Sequence, residues 1–222
     1  AMARRVPSHS VEPDDDAPLI ETIRFTAGDG VELVGDLSTP DSPRAAATVC
    51  HPHPEFGGDR HNNVVQALFD ALPRNGVTTL RFDFRARFDD GRGESLDAHA
   101  AIAEVTRGAP GIPVIAAGYS FGAMIALGLD HPAVTHRVLV APPLGMIDIA
   151  PAGNLPTLVL SPSHDQFCPP EKAEPIAATW GDTEFAPIRS ADHFLLGATG
   201  DVTRRVLGWL DPQIAVWVMT DP

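Results

Sequence analysis

The sequence predicts one domain of the three-layer α/β class, in which helices cover both faces of a mainly parallel sheet. Two observations carry this prediction. Short apolar runs of strand length alternate with helical patterns along most of the 222 residues. In addition, the segment GYSFG at residues 118–122 stands between one such apolar run and one such helix. No linker or internal repeat divides the chain. In sheets of this class ligands bind beyond the carboxyl ends of the strands, so we expect the functional residues in those loops.

An opening hairpin precedes the alternating part of the chain. Residues 19–27 and 31–37 alternate in hydropathy, and Gly28-Asp29-Gly30 between them is typical of a turn. Further strands are predicted at residues 47–50, 77–84, 114–119, 137–141, 157–161 and 184–188. Helices are predicted at residues 63–74, 95–106, 121–129, 171–179 and 201–210.

Three segments follow from these patterns. Residues 1–17 are rich in proline and aspartate and poor in apolar groups, which predicts a flexible N-terminal tail. Residues 18–211 form the domain, and residues 212–222 form a C-terminal extension. The extension contains the apolar run 214–219, which predicts packing on the domain or burial in a homodimer contact. The longest irregular stretch, 142–156, is long enough only for a small lip, so no cap domain is expected.

Charge and composition exclude several classes of partner. The net charge of −13 repels nucleic acid and anionic membrane surfaces. The sequence has no run of eighteen apolar residues, so no membrane span is predicted. The apolar stretch of a secretory signal does not follow Arg4 and Arg5. Two cysteines far apart predict no disulfide framework. We therefore expect a cytoplasmic protein.

The segment around Ser120 has the features of a nucleophile elbow. A serine with glycines two residues before and after it, between a strand and a helix, is the nucleophile motif of the α/β-hydrolase fold. The serine backbone is strained in this turn, and side chains at the glycine positions would collide. Ser120 is thus the candidate nucleophile.

A serine nucleophile needs a base and an acid that orients the base, and in this fold they follow in the order Ser, Asp or Glu, His. Asp165 follows the predicted strand 157–161, and His193 follows the strand 184–188. After Asp165 the chain offers only His193 as the base. Asp192 competes with Asp165 for the acid role. However, it directly precedes His193, and the side chains of sequence neighbours seldom point so that one can bind Nδ1 of the other.

The oxyanion formed during the reaction requires two amide donors. One is the amide of Phe121, the residue after the nucleophile, at a helix N-terminus. The second is expected from the loop after the third strand, HPHPEFGG at residues 51–58. Because proline has no amide hydrogen, His53 is the first available donor, with Glu55 and Phe56 as alternatives.

The same loop admits a metal-site interpretation. His51 and His53 lie two residues apart and His61 is nearby, which allows a metal pair. No carboxylate or cysteine set with ligand spacing accompanies them, so we expect no metal and no organic cofactor.

Four separated motifs make the chain resemble small α/β-hydrolases related to dienelactone hydrolases. They are HPHPEFGG (51–58), RFDFR (81–85), GYSFGA (118–123) and ADHF (191–194), and the resemblance covers roughly residues 45 to 210. It implies an eight-stranded sheet with an antiparallel second strand and a triad of Ser120, Asp165 and His193.

Two departures from that family qualify the resemblance. Dienelactone hydrolases use a cysteine nucleophile where this chain has Ser120, so lactone specificity does not carry over. Relatives usually continue the arginine motif with Gly-Val-Gly, whereas residues 86–90 read ARFDD. The bulkier loop is expected to alter the rim of the pocket. Arg81 and Arg85 are expected in structural salt bridges more than in a clamp for a substrate carboxylate.

The functional prediction is a serine hydrolase that cleaves carboxylic ester or thioester bonds of small substrates through an acyl-enzyme. Glu55, Phe56, Tyr119 and Cys168 are the candidate substrate contacts. The alternative is a protein of this fold that binds a small acyl ligand without turnover, or that transfers the acyl group to an acceptor other than water.

Overall fold

The computed structural model describes residues 18–107, 110–146 and 149–220. The strands are β1 (Leu19–Thr26), β2 (Glu32–Thr39), β3 (Ala45–Cys50), β4 (Val77–Phe82), β5 (Val114–Tyr119), β6 (Val134–Val140), β7 (Thr157–His164) and β8 (Thr183–Asp192). The helices are α1 (Asn63–Arg74), α2 (Arg92–Arg107), α3 (Phe121–Gly128), α4 (Pro170–Ala177) and α5 (Thr199–Thr220). A 3₁₀ turn, Pro54–Phe56, follows β3.

All eight strands form one sheet in the order β1-β2-β4-β3-β5-β6-β7-β8. Strand β2 runs antiparallel to both its neighbours, and the pairs from β4 to β8 are parallel. The predicted fold class, with an antiparallel second strand, is therefore confirmed. Among the described residues nothing forms a cap domain, and no helix is long and apolar enough to cross a bilayer.

The core lies on both faces of the sheet because successive side chains of each strand point to opposite sides. In β3, Ala45, Ala47 and Val49 face the cluster formed with α1 and α5. Ala46 and Cys50 face the cluster formed with α2, α3 and α4. Both faces of the central strands are buried, which explains why these strands are apolar throughout instead of alternating between apolar and polar residues.

Strand register aligns the loops that carry the candidate residues. Cys50 of β3 pairs with Gly118 of β5, so these two strands end at the same level. His164 of β7 pairs with Asp192 of β8 at the same edge of the sheet. Loops that are far apart in sequence therefore meet beyond the carboxyl ends of the strands.

Most of the predicted ends differ from the structure by one to three residues, and the ends of β8 and α5 differ by more. Helix α5 continues to Thr220 instead of ending at residue 210, because its buried side persists beyond Leu210 at Ile214. Strand β8 continues past residue 188 to Asp192, since its pairing with β7 resumes after a register shift. The run 214–219 is thus part of this helix, and Ile214 at its start is buried.

Candidate active site

The turn between β5 and α3 holds Ser120 in a strained conformation, at φ 54° and ψ −118°. Two close backbone approaches make this turn possible. A Cβ atom on Gly118 would lie 2.1 Å from the carbonyl oxygen of Gly122, and one on Gly122 would lie 2.2 Å from that of Cys50. Only glycine fits at either position, as the elbow motif predicts.

A continuous chain of hydrogen bonds joins Ser120, His193 and Asp165. Nε2 of His193 lies 2.9 Å from the Oγ of Ser120, and Nδ1 lies 2.8 Å from Oδ2 of Asp165. A carboxylate only accepts, so Nδ1 carries the proton and Nε2 is left to accept from the serine hydroxyl. His193 and Asp165 are both buried, which shields the ion pair that forms when the imidazole is protonated.

The two candidate acids have different partners. Besides binding His193, Asp165 accepts through Oδ1 from the amides of Phe167 at 2.8 Å and Cys168 at 3.1 Å. Asp192 instead accepts from the amide of Phe194 at 3.0 Å, within its own loop. The imidazole is therefore contacted by Asp165 and not by its sequence neighbour.

Two further side chains hold the backbone of His193. The hydroxyl of Tyr119 donates to the carbonyl oxygen of His193 at 2.7 Å, and the side-chain oxygen of Gln166 accepts from its amide at 3.1 Å. Burial raises the pKa of Tyr119, so its hydroxyl remains a donor. Tyr119 was expected as a substrate contact, and Gln166 was missed; its one signal in the sequence is its place directly after Asp165.

The structure separates the three candidate donors for the second oxyanion position. The amide of Glu55 donates to Nδ1 of His53 at 3.2 Å, and the amide of Phe56 donates to the His53 carbonyl oxygen at 3.1 Å. The His53 amide is the one of the three with no acceptor among the described residues. The amide of Phe121, at the first residue of α3, has no carbonyl one turn earlier to bind.

A cavity of about 540 Å³ opens above Ser120. Its lining is mostly apolar and combines loops that follow β3, β5, β6, β7 and β8. The lining residues are Pro52, His53, Phe56, Gly57, Gly58, Asn62, Tyr119, Ser120, Phe121, Pro143, Met146, Phe167, His193 and Phe194. Asn62, Pro143, Met146, Phe167 and Phe194 were not predicted, because no local pattern distinguishes them from other loop residues.

Two of the candidate substrate contacts lie outside this lining. Cys168 is 2% exposed, and its Sγ donates to the carbonyl oxygen of Leu144 at 3.0 Å, so it packs in the core beneath the site. Burial raises the pKa of this thiol. The Glu55 side chain is exposed to solvent and does not line the cavity. Phe56 does line it and is 86% exposed at the rim.

Of the histidine pair in the HPHP motif, His51 has no ring nitrogen free for a shared metal. The Nε2 of His51 accepts from the amide of Phe84 at 3.0 Å, and Nδ1 lies 2.6 Å from the Pro52 carbonyl oxygen, to which it donates. Burial lowers the pKa of His51 and keeps it neutral. Within 18–107, 110–146 and 149–220 no three His, Cys, Asp or Glu side chains are grouped as metal ligands.

The arginines of the RFDFR motif are engaged away from the cavity. Arg81 lies 3.0 Å from Asp36, and Arg85 lies 2.8 Å from both Asp97 and Asp29. These are the structural ion pairs expected from the sequence, and neither arginine lines the cavity above Ser120.

Known proteins that resemble this chain are consistent with the serine hydrolase geometry of the site. The chain belongs to the Alpha/beta hydrolase family, whose model matches residues 49–222. An uncharacterized protein of Rickettsia prowazekii is 29% identical over 210 residues, which cover 85% of this chain and 87% of that protein.

Solved structures from three bacteria share the fold. A protein of unknown function from Agrobacterium tumefaciens has a TM-score of 0.78 at 28% identity, over 88% of this chain and 97% of its own. An alpha-beta serine hydrolase homologue from Coxiella burnetii has a TM-score of 0.75 at 27% identity, over 86% and 97%. A serine hydrolase without lid from Xanthomonas campestris has a TM-score of 0.77 at 26% identity, over 89% and 94%. The chain is a hydrolase of this family.

Proposed function

We propose that this hydrolase is a serine esterase of the carboxylesterase type, which cleaves carboxylic ester or thioester bonds of small substrates through an acyl-enzyme. One observation carries the proposal: the hydrogen-bond chain Ser120–His193–Asp165 ends with its hydroxyl at the floor of an open apolar cavity.

The acylation step follows from the geometry of this chain. Nε2 of His193 takes the proton as Ser120 Oγ attacks the carbonyl carbon, and Asp165 stabilises the imidazolium that forms. The amides of Phe121 and His53 bind the oxyanion of the tetrahedral intermediate. When that intermediate collapses, Nε2 returns the proton to the leaving alcohol or thiol, and the acyl group stays on Ser120.

Deacylation repeats these roles with water as the nucleophile. The water gives its proton to Nε2 of His193 and attacks the acyl carbonyl carbon, and the carboxylic acid is released as Ser120 regains its proton. The cavity is open and Phe56 and Met146 at its rim are exposed. Ready access of water favours hydrolysis over acyl transfer to another acceptor. No metal or organic cofactor is needed for any step.

The cavity lining defines the substrate chemistry. The described lining contains no lysine or arginine, and the chain carries a net charge of −13. Neutral, apolar esters are favoured over anionic ones, which would lack a counter-charge at the site. The motifs shared with dienelactone hydrolases support placement of the chain near that group, with a serine in place of its cysteine nucleophile.

Replacement of the nucleophile tests the proposal. We expect Ser120→Ala to reduce hydrolysis of p-nitrophenyl acetate by at least about 10⁴-fold, with an unchanged circular dichroism spectrum. A fluorophosphonate probe should label the wild-type protein and not the variant. Turnover that survives in the variant would rule out Ser120 as the nucleophile. A wild-type protein that neither turns over esters nor takes the label would support ligand binding without catalysis.

A further inference from the structure

A second cavity, of about 660 Å³, adjoins the one above Ser120. The two cavities share His53 and Phe121 as lining residues. Beyond these, the apolar lining residues of the second cavity are Met124 and Ile125 of α3, Phe88 of the loop between β4 and α2, and Ile149 of the loop between β6 and β7. Its lining includes none of Ser120, Asp165 and His193.

A ridge of aromatic rings separates the two cavities. The ring of His53 lies 4.4 Å from that of Phe88 and 5.0 Å from that of Phe121, centroid to centroid. Phe88 and Phe121 lie 5.6 Å apart with their planes at 66°. We call these three side chains the aromatic ridge; the carbonyl of a bound ester would lie beside it, because the amides of His53 and Phe121 are the proposed oxyanion donors.

The loop that carries Phe88 is anchored to the core. The fully buried carboxylate of Glu94 accepts from the amides of Asp89 at 3.0 Å and Gly91 at 2.9 Å. Between them Asp90 adopts a left-handed conformation, at φ 51°. Phe88 therefore stands in a preformed wall, in the same loop whose sequence predicts a bulkier rim.

We propose that the second cavity receives the acyl chain of longer esters, which crosses the aromatic ridge from the carbonyl held above Ser120. This inference rests on the proposed esterase function. The leaving alcohol must lie within reach of Nε2 of His193, which gives it a proton, and His193 lines only the first cavity. The leaving group is thus assigned to the first cavity, and the second remains for the acyl side.

The walls of the second cavity fit an unbranched or aromatic apolar chain. Apolar contact comes from Phe88, Phe121, Met124, Ile125 and Ile149. The charged residues in the lining are Asp90 and Arg92, which flank Gly91 in the sequence. Short acyl groups such as acetyl end before the ridge and gain nothing from this surface. Preference for longer acyl chains is the consequence.

The test fills the second cavity at a residue that does not line the first. Ser95 of α2 lines this cavity only, and its neighbour Leu96 is 41% exposed and lines neither, so Ser95→Phe and Leu96→Phe form a matched pair. Two substrate series are compared by kcat/KM: p-nitrophenyl esters from acetate to decanoate, and alkyl acetates from ethyl to decyl. The first series varies the acyl chain, and the second varies the alcohol.

We expect Ser95→Phe to lower the decanoate-to-acetate ratio of kcat/KM at least about tenfold, whereas Leu96→Phe leaves this ratio as in the wild type. The profile of the alkyl acetates should not change in either variant. Phe88→Ala, which removes an apolar wall residue of the second cavity, should also lower the decanoate-to-acetate ratio.

Other outcomes overturn the inference. A ratio that Ser95→Phe and Phe88→Ala both leave at the wild-type value shows that acyl chains do not enter the second cavity. A loss confined to the alkyl acetates assigns the cavity to the alcohol instead. Both results leave ester hydrolysis itself intact, whereas a wild-type protein without turnover of any ester in either series overturns the proposed function together with this inference.

Discussion

Two aspartates within reach of the same histidine loop illustrate what decides function at the residue scale. Asp165 and Asp192 have the same side chain; Asp165 directly follows β7, and Asp192 is the last residue of β8. Asp165 lies 2.8 Å from Nδ1 of His193, and the amides of Phe167 and Cys168 fix its other oxygen. Among the described residues, the side chain of Asp192 binds only the amide of Phe194, in its own turn. Orientation therefore distinguishes them.

The pair gives a prediction with an internal control. Asp165→Asn should lower kcat for p-nitrophenyl acetate by roughly 10³–10⁴-fold, because the amide neither fixes the histidine tautomer nor stabilises the imidazolium. Asp192→Asn should cost less than about tenfold, since its side-chain oxygen still accepts the Phe194 amide, a bond of about 1 kcal/mol. Steady-state kinetics on both variants measure this. Equal losses in the two would contradict the assignment of the acid.

At the scale of the element, the turn from β5 to α3 is the most constrained part of the site. Its two glycines allow the backbone of α3 to approach both its own strand and the end of β3. This approach sets the position of the Ser120 hydroxyl and of the first amides of the helix. The motif is legible in sequence because every part of it is local.

Helix α3 and helix α5 offer a matched pair of glycine substitutions. Gly122→Ala places a Cβ atom 2.2 Å from the Cys50 carbonyl oxygen, whereas a Cβ on Gly208 of α5 meets nothing within 4 Å. We expect Gly122→Ala to lower the free energy of unfolding by about 1–3 kcal/mol or more, because the backbone must shift. Gly208→Ala should raise it by about 0.5–1 kcal/mol through helix propensity.

Urea unfolding followed by circular dichroism gives both values. If Gly122→Ala proved as stable as the wild type, the close approach of α3 to β3 would be wrong. A destabilised Gly208→Ala would show that the surface of α5 is covered in solution.

The bounds of an element were predicted well where its signal is local, and less well where tertiary packing decides its end. Helix α1 has the predicted bounds, 63–74, because Asn62 caps it through the amide of Val64 and its apolar period is regular. Helix α5 extends beyond the predicted residue 210 because burial of Ile214 against the domain outweighs the break that Pro212 suggests. Tertiary packing, which local propensity does not contain, decides such ends.

For the whole molecule, the order and register of the strands bring the site together. Ser120, Asp165 and His193 follow β5, β7 and β8, and the oxyanion loop follows β3. Parallel strands carry all these loops to one edge of the sheet. Several histidines are buried when the sheet and its helices pack together. Because burial disfavours their protonated form, the free energy of unfolding is expected to depend on pH.

We expect the protein to lose stability as the pH falls below about 6.5. Burial lowers the pKa of His51 and of His136 from the ordinary value of 6.5, so both stay neutral in the folded state. Just below pH 6.5 the unfolded chain binds protons that the folded state does not, and the free energy of unfolding therefore falls with pH. Each group contributes up to about 1.4 kcal/mol per pH unit.

Urea unfolding at pH 7.5, 6.5 and 5.5 measures this slope, and NMR titration of the histidine rings assigns it. Stability that is constant or higher at pH 5.5 would contradict the prediction, as would a His51 resonance that titrates above pH 6.5.

The amino-acid sequence by itself determined the fold class and the elbow around Ser120, and it left His193 as the single late histidine. Each of these depends on local patterns: strand and helix periods, paired glycines, and the order of residues along the chain. The tertiary structure alone decided that Asp165 and not Asp192 meets the imidazole, that Tyr119 and Gln166 hold the histidine loop, and that Cys168 is buried away from the cavity. It also decided that Phe88, His53 and Phe121 form a ridge between two cavities. These contacts join residues distant in sequence, and they depend on strand register and side-chain direction, which no local pattern specifies.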